Sequence, residues 1–151
     1  MKRIHYRISK SLCMHKLSLV IGICFIANLF QYLSAQHTIF TIENCVNTFT
    51  KANVIPTQSG YQYWFVAKEF ANGKILKMST VAPGKSTHAP HTHQEDEFFY
   101  VLEGKAAFFL EGEEVIVEAN TSLYCPSNTL HGIRNVGITD LKYLVIKEYE
   151  N

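Results

Sequence analysis

Between His88 and Gly104 the chain reads HAPHTHQEDEFFYVLEG, three histidines and four carboxylates within 17 residues that run straight into aromatic sequence. His91 and His93 stand two residues apart, so on extended backbone both imidazoles leave the same face. Glu97 adds a carboxylate four residues later, with room for a small turn between. A second polar island, NTSLYCPSNTLHGIRN, carries His131 just after a Pro-Ser-Asn turn. If a sheet closes on itself, His131 meets His91, His93 and Glu97 across its interior. Three imidazoles and one carboxylate suit a borderline divalent metal. The competing reading is a set of surface histidines on a metal-free barrel.

The elements that must position these groups are short strands. From Gly60 onward, runs of aromatic and β-branched residues alternate with Gly, Asn and Pro punctuation. YQYWFVAKEF ends at Ala71-Asn72-Gly73, and KILKMSTVAP stops at Pro83-Gly84. EFFYVLEG, KAAFFLEG, EEVIVEAN, TSLYCP, HGIRNVG and LKYLVIKEY follow, with Glu111-Gly112-Glu113 marking a tight hairpin turn. No stretch after the leader carries a 3.6-residue apolar stripe, so the fold class is all-β, a small antiparallel barrel or jelly roll. Residues 60–151 form that domain, and 36–59 a Thr- and Asn-rich arm or edge strand.

Residues 1–35 have the pattern of a signal peptide: a basic start, the apolar segment LSLVIGICFIANLFQYL, and Leu33-Ser34-Ala35 at the cut. The rival is a retained anchor, but that apolar segment is shorter than the roughly 20 residues a span needs. Export to a periplasm or beyond the cell is therefore expected, with no membrane attachment after cleavage. Removing Lys2, Arg3, Arg7, Lys10 and Lys16 from the 14 basic residues leaves nine against 13 acidic ones, a net charge of −4. No basic patch remains to recruit nucleic acid or an anionic membrane. Cys45 and Cys125 are the two cysteines outside the leader, either a disulfide in an oxidising compartment or two buried thiols.

The two polar islands resemble the paired motifs of the cupin superfamily, in particular a single-domain, secreted, quercetinase-like cupin. The first reads Gly84, His91-Thr92-His93, Glu97, Gly104, with six residues rather than the family's usual five between Gly84 and His91. The second reads Asn120, Pro126-Ser127-Asn128, His131, Asn135, with asparagine at 120 and 128 where the family has glycine. Asparagine is the side chain that best tolerates positive φ, so the turns remain feasible. The resemblance covers about residues 60–147 and implies His91, His93, Glu97 and His131 as ligands of one divalent metal. Four protein ligands would fill a tetrahedral zinc site, whereas Fe, Mn, Ni or Co in six-coordination keeps positions open for chemistry. Asn135 is expected to brace a turn, His88 to sit at a pocket rim, and Glu95 and Asp96 to be solvated.

If Glu97 points inward, so do Phe99 and Val101, while Phe98, Tyr100 and Leu102 point outward and need cover. Either the arm supplies it or a second copy does, and a homodimer is the expectation. Phe99, Phe108 or Phe109, Tyr124 and Trp64 are expected to wall a pocket for an aromatic or apolar small molecule. The resemblance then implies three functions. The first is a dioxygenase on an enol-type substrate, with Glu97 as catalytic proton acceptor. The second is an isomerase, epimerase or decarboxylase on a small oxygenated acid or sugar, and the third a non-catalytic ligand-binding module. Cupins host many unrelated activities, so the fold does not choose.

Overall fold

The computed structural model describes residues 39–149. The expected signal peptide lies outside the described residues. Within them, no helix is long and apolar enough to cross a membrane.

Nine strands follow in chain order: β1 (Ile55–Thr57), β2 (Gly60–Val66), β3 (Lys74–Val81), β4 (Glu97–Glu103), β5 (Lys105–Leu110), β6 (Glu113–Glu118), β7 (Thr121–Cys125), β8 (His131–Asn135) and β9 (Leu141–Glu148). A six-stranded sheet runs β1-β2-β3-β9-β4-β7 and a three-stranded sheet runs β6-β5-β8, with every pairing antiparallel. Each strand run expected from the sequence is found. Ahead of them lie a single helical turn, α1 (Ile42–Cys45), and a 3-10 turn at Lys51–Asn53. Thr41 and Asn44 close α1 with a reciprocal capping box.

The strands exist because their side chains alternate. Along β4, Glu97, Phe99 and Val101 are buried while Phe98 and Tyr100 are exposed, as period-2 geometry requires. The punctuation is equally physical. Asn120 (φ 65°) and Asn128 (φ 58°) hold the left-handed backbone expected of them. Glu111 and Gly112 both have positive φ and join β5 to β6 in a two-residue turn.

Val81, Phe99, Val101, Leu123, Cys125, Leu141, Tyr143 and Val145 of the large sheet pack against Ala106, Phe108 and Ile133 of the small one. Directly opposed residues share a face, so pairing arranges the inner surface of the large sheet in rungs. One rung is Ile75, Lys147, Glu97 and Cys125; the next is Trp64, Lys77, Val145, Phe99 and Leu123; a third is Gln62, Ser79, Tyr143, Val101 and Thr121. Polar groups thus enter an otherwise apolar interior at adjacent positions.

The arm covers only one part of the outer face. Tyr63 donates its hydroxyl hydrogen to the Thr48 carbonyl at 2.9 Å, and Phe49 meets the Tyr63 ring edge-on at 5.0 Å. Phe98, Tyr100, Tyr124 and Ile146, further along the same sheet, remain exposed. Cys45 is exposed and Cys125 buried, and both are free thiols, so the disulfide alternative is not realised.

Candidate metal centre

The site forms where the segment before β4 folds back on β8. His91 and His131 exchange backbone hydrogen bonds, each N–H donating to the other's carbonyl at 3.0 Å. Gly132 permits this closeness, since a Cβ there would lie 3.3 Å from Pro90. Asn128 donates its N–H to the His93 carbonyl at 2.7 Å, so the left-handed turn also holds the second histidine. Asp96 accepts from the Ser127 N–H at 2.8 Å, and the Ser127 hydroxyl donates to the Gln94 carbonyl.

The imidazoles converge. His93 Nε2 lies 3.4 Å and His131 Nε2 3.3 Å from Glu97 Oε2. The far nitrogens face backbone acceptors: His93 Nδ1 is 2.7 Å from the Glu95 carbonyl and His131 Nδ1 is 2.8 Å from that of Thr129. A ring that donates Nδ1–H to a carbonyl presents the lone pair of Nε2, the arrangement found behind metal-bound histidine. His91 offers its third ring to the same space, and its Nδ1 is buried with no hydrogen-bond partner. Ligand atoms of His91, His93 and His131 all lie within 4.8 Å of one another. Atoms ~2.1 Å from a shared ion stand at most ~4.2 Å apart, so the cluster is near ligating size. Burial, then the neighbouring His88, His131 and His93 rings, hold His91 below the usual imidazole range. A neutral imidazole is what a metal requires.

His88 is exposed at the rim, its ring 4.2 Å from that of His91. Asn135, fully buried, braces its turn: Nδ2 donates to the Val81 and Thr139 carbonyls, and Oδ1 accepts from the Gly137 N–H.

Two expectations need correction. Glu95 is not solvated: it pairs with the buried Lys147 at 3.2 Å and stands 3.6 Å from His93 Nδ1. Asp96 is exposed, as expected, and its hydrogen bond with Ser127 ties the two loops together. The aromatic wall is also smaller than expected. Tyr124 stacks on Phe98 outside the sheet at 4.8 Å, and Phe108 is buried in the core. Phe109 faces a separate outer groove with Pro90 and Arg134, while Trp64 sits behind Lys77. Of the aromatics named, only Phe99 lines the cavity beside Glu97.

That cavity, partly open, has a volume of about 160 Å³ and a mixed lining: Thr57, Tyr61, Gln62, Lys77, Ser79, Thr87, His88, Glu97 and Tyr143 with Phe99 and Val145. Burial holds the Lys77 ammonium below the usual lysine range, with Glu97 pulling it back. Cys125 lies on the other side of Glu97, its ligand atom within 4.8 Å of those of Glu97 and His131. Burial, reinforced by Glu97, pushes its thiol up to about 12, so it stays protonated. Lys77, Lys147 and Cys125 were not found from the sequence, because strand pairing alone brings them to one rung or its neighbour.

The family model for a cupin domain matches residues 77–147. The oxalate-binding protein of Thermotoga maritima is 35% identical over 84 residues, 54% of this chain and 69% of that protein. The chain belongs to the cupin superfamily. A second match, the mannose-1-phosphate guanylyltransferase RfbM of Salmonella typhimurium, is 30% identical over 92 residues, 60% of this chain. The chain spans only 19% of that enzyme's length. The crystal structure of a predicted oxalate decarboxylase from Thermotoga maritima superposes with a TM-score of 0.56 at 28% identity, covering 60% of this chain and 80% of that one. The matched cupin segment holds all four converging side chains, from His91 to His131.

Proposed function

We propose that this cupin is a metal-dependent enzyme acting on a small oxygenated molecule, with His91, His93, Glu97 and His131 as the metal ligands. The observation that carries the reading is the convergence of the two backbone-anchored Nε2 atoms on Glu97 Oε2, a carboxylate that also lines a partly open cavity. A divalent ion held there supplies Lewis-acid polarisation of a substrate oxygen. The chain's own residues do the rest. Glu97, buried and facing the cavity, accepts a proton from the substrate at a carboxylate oxygen. Phe99 and Val145 exclude water from one wall, and Ser79, Thr87 and Tyr143 offer hydroxyls to orient oxygen atoms. Glu95 and Lys147 hold His93 and the loop before β4 in place.

Dioxygen use remains the leading chemical reading, carried by the likeness of EDEFFYVLEG to quercetinase-like cupins. The cavity's size and polarity favour a compact enol-type substrate over a flavonol-sized one. Decarboxylation or isomerisation of a small acid is the second reading, supported by the similar oxalate-binding protein. Turnover of one substrate series under air and under argon separates them. Oxygen-dependent product selects the first, equal anaerobic turnover the second, and no turnover by metal-loaded protein removes both.

A second copy is the proposed cover for Phe98, Tyr100, Tyr124 and Ile146. Phe98→Glu would place an unpaired charge in that contact, so dimer affinity is expected to fall at least ~100-fold. Sedimentation velocity reads the result, and a wild-type monomer at high concentration would discard the dimer.

A further inference from the structure

We infer that Lys77 is an anion anchor, and that it makes the preferred ligand of this cavity a small carboxylic acid with a second oxygen directed at Glu97. This deepens the function proposed above and rests on it for the metal end of the ligand only.

The argument begins with where the ammonium sits. Lys77 belongs to the second rung of the inner face, opposite Val145 of β9, whose other neighbour is Phe99 of β4. Its side chain therefore enters the interior with the residues that wall the cavity, one rung away from Glu97. The other inward lysine, Lys147, has a carboxylate partner in Glu95. Lys77 forms no ion pair among the described residues, and its nitrogen instead lies 5.2 Å from the centre of the Trp64 ring. A half-buried ammonium with no carboxylate at ion-pair distance, Glu97 acting on it only from further off, has lost hydration that is not replaced in full. An apolar residue would pack that position at less cost, so the cation calls for a ligand that completes it.

Its surroundings define that ligand. Gln62, Ser79, Thr87 and Tyr143 line the same cavity and offer hydrogen bonds around a carboxylate. Glu97, one rung away in the same lining, repels an anion unless a cation or a proton intervenes. The carboxylate thus belongs at Lys77, and the ligand's hydroxyl, keto or second acid oxygen at the histidine cluster. A cavity of about 160 Å³ suits a small acid.

The test uses full-length protein, Mn(II)-loaded and chelator-stripped, titrated with lactate and with its neutral isostere lactamide. Binding is read by calorimetry and by the fluorescence of Trp64, the chain's one tryptophan. Wild type is expected to prefer lactate at least ~10-fold in both metal states, since the carboxylate makes a charge-assisted bond that the amide does not. Lys77→Met should abolish the preference while leaving Mn(II) content unchanged, and Lys77→Arg should keep most of it. If Lys77→Met fails to fold, Lys77→Gln replaces it. Equal affinity for the two ligands, no binding of either, or a preference that survives loss of the lysine charge overturns the assignment. Loss of Mn(II) affinity in wild type with the preference intact would remove the metal reading and leave the anion anchor standing.

Discussion

His131→Ala is expected to lower divalent-metal affinity at least ~100-fold, because removing partners that merely orient a ligand already costs ~10–100-fold. His131 is fully buried, its backbone paired to His91, its Nδ1 held by the Thr129 carbonyl and its Nε2 presented to Glu97. Removing the ring also opens a cavity and leaves the Thr129 carbonyl without that donor, so stability should fall by about 2–3 kcal/mol. Metal content and urea midpoint therefore move together, and a control must separate them. His88→Ala provides it: His88 is exposed at the rim, its ring against that of His91 and its Nδ1 near its own neighbouring carbonyl. Metal affinity should stay within ~3-fold of wild type there. Equal loss in both variants would mean that summed charge, rather than a defined ligand set, holds the ion.

The difference between these histidines was largely legible in the sequence, and the reason is local. Spacing of two places His91 and His93 on one face, and Pro90 breaks the register that would have brought His88 with them. The strand runs were legible for the same reason, since alternation and turn chemistry are properties of neighbours along the chain. Asn120 and Asn128 stand where the resembled family has glycine, which made left-handed backbone legible there, and Asn128 then fixes His93. Apart from the meeting of His131 with His91, His93 and Glu97, what failed depends on which strand lies beside which. Lys77 reads in KILKMSTV as one more polar residue, and only the β3–β9–β4 pairing carries it to the rung beside Glu97. Tyr124 was assigned to the pocket, yet its pairing with the outward Phe98 fixes it on the opposite face. Glu95 read as solvated because its partner, Lys147, is far away in sequence. The cysteine question was likewise one of distance, and sequence carries none.

Gly104→Ala should destabilise the domain by about 2–5 kcal/mol, a large part of the roughly 5–15 kcal/mol that holds a domain of this size. Two costs combine. Gly104 has φ 90°, and left-handed backbone with a Cβ costs about 1–2 kcal/mol. A Cβ there would also lie 2.7 Å from the Asp140 carbonyl oxygen and 2.9 Å from the Leu141 Cα. Both are backbone atoms at the start of β9, which cannot turn aside as a side chain could. Relief requires the β4–β5 connection to move off β9, and overpacking of this kind adds about 1–3 kcal/mol. Gly112 isolates the first cost, because it has nearly the same φ, 92°, with no atom within 4 Å of an added Cβ. Gly112→Ala should therefore cost only about 1–2 kcal/mol. Urea unfolding of the two variants, with unchanged slopes, measures the contact by difference. Equal losses would mean that β9 yields to the methyl group. A larger loss at Gly104 than at Gly112 would instead show that the backbone at the start of β9 holds its place against the β4–β5 connection, so that close backbone packing, and not φ alone, fixes glycine there.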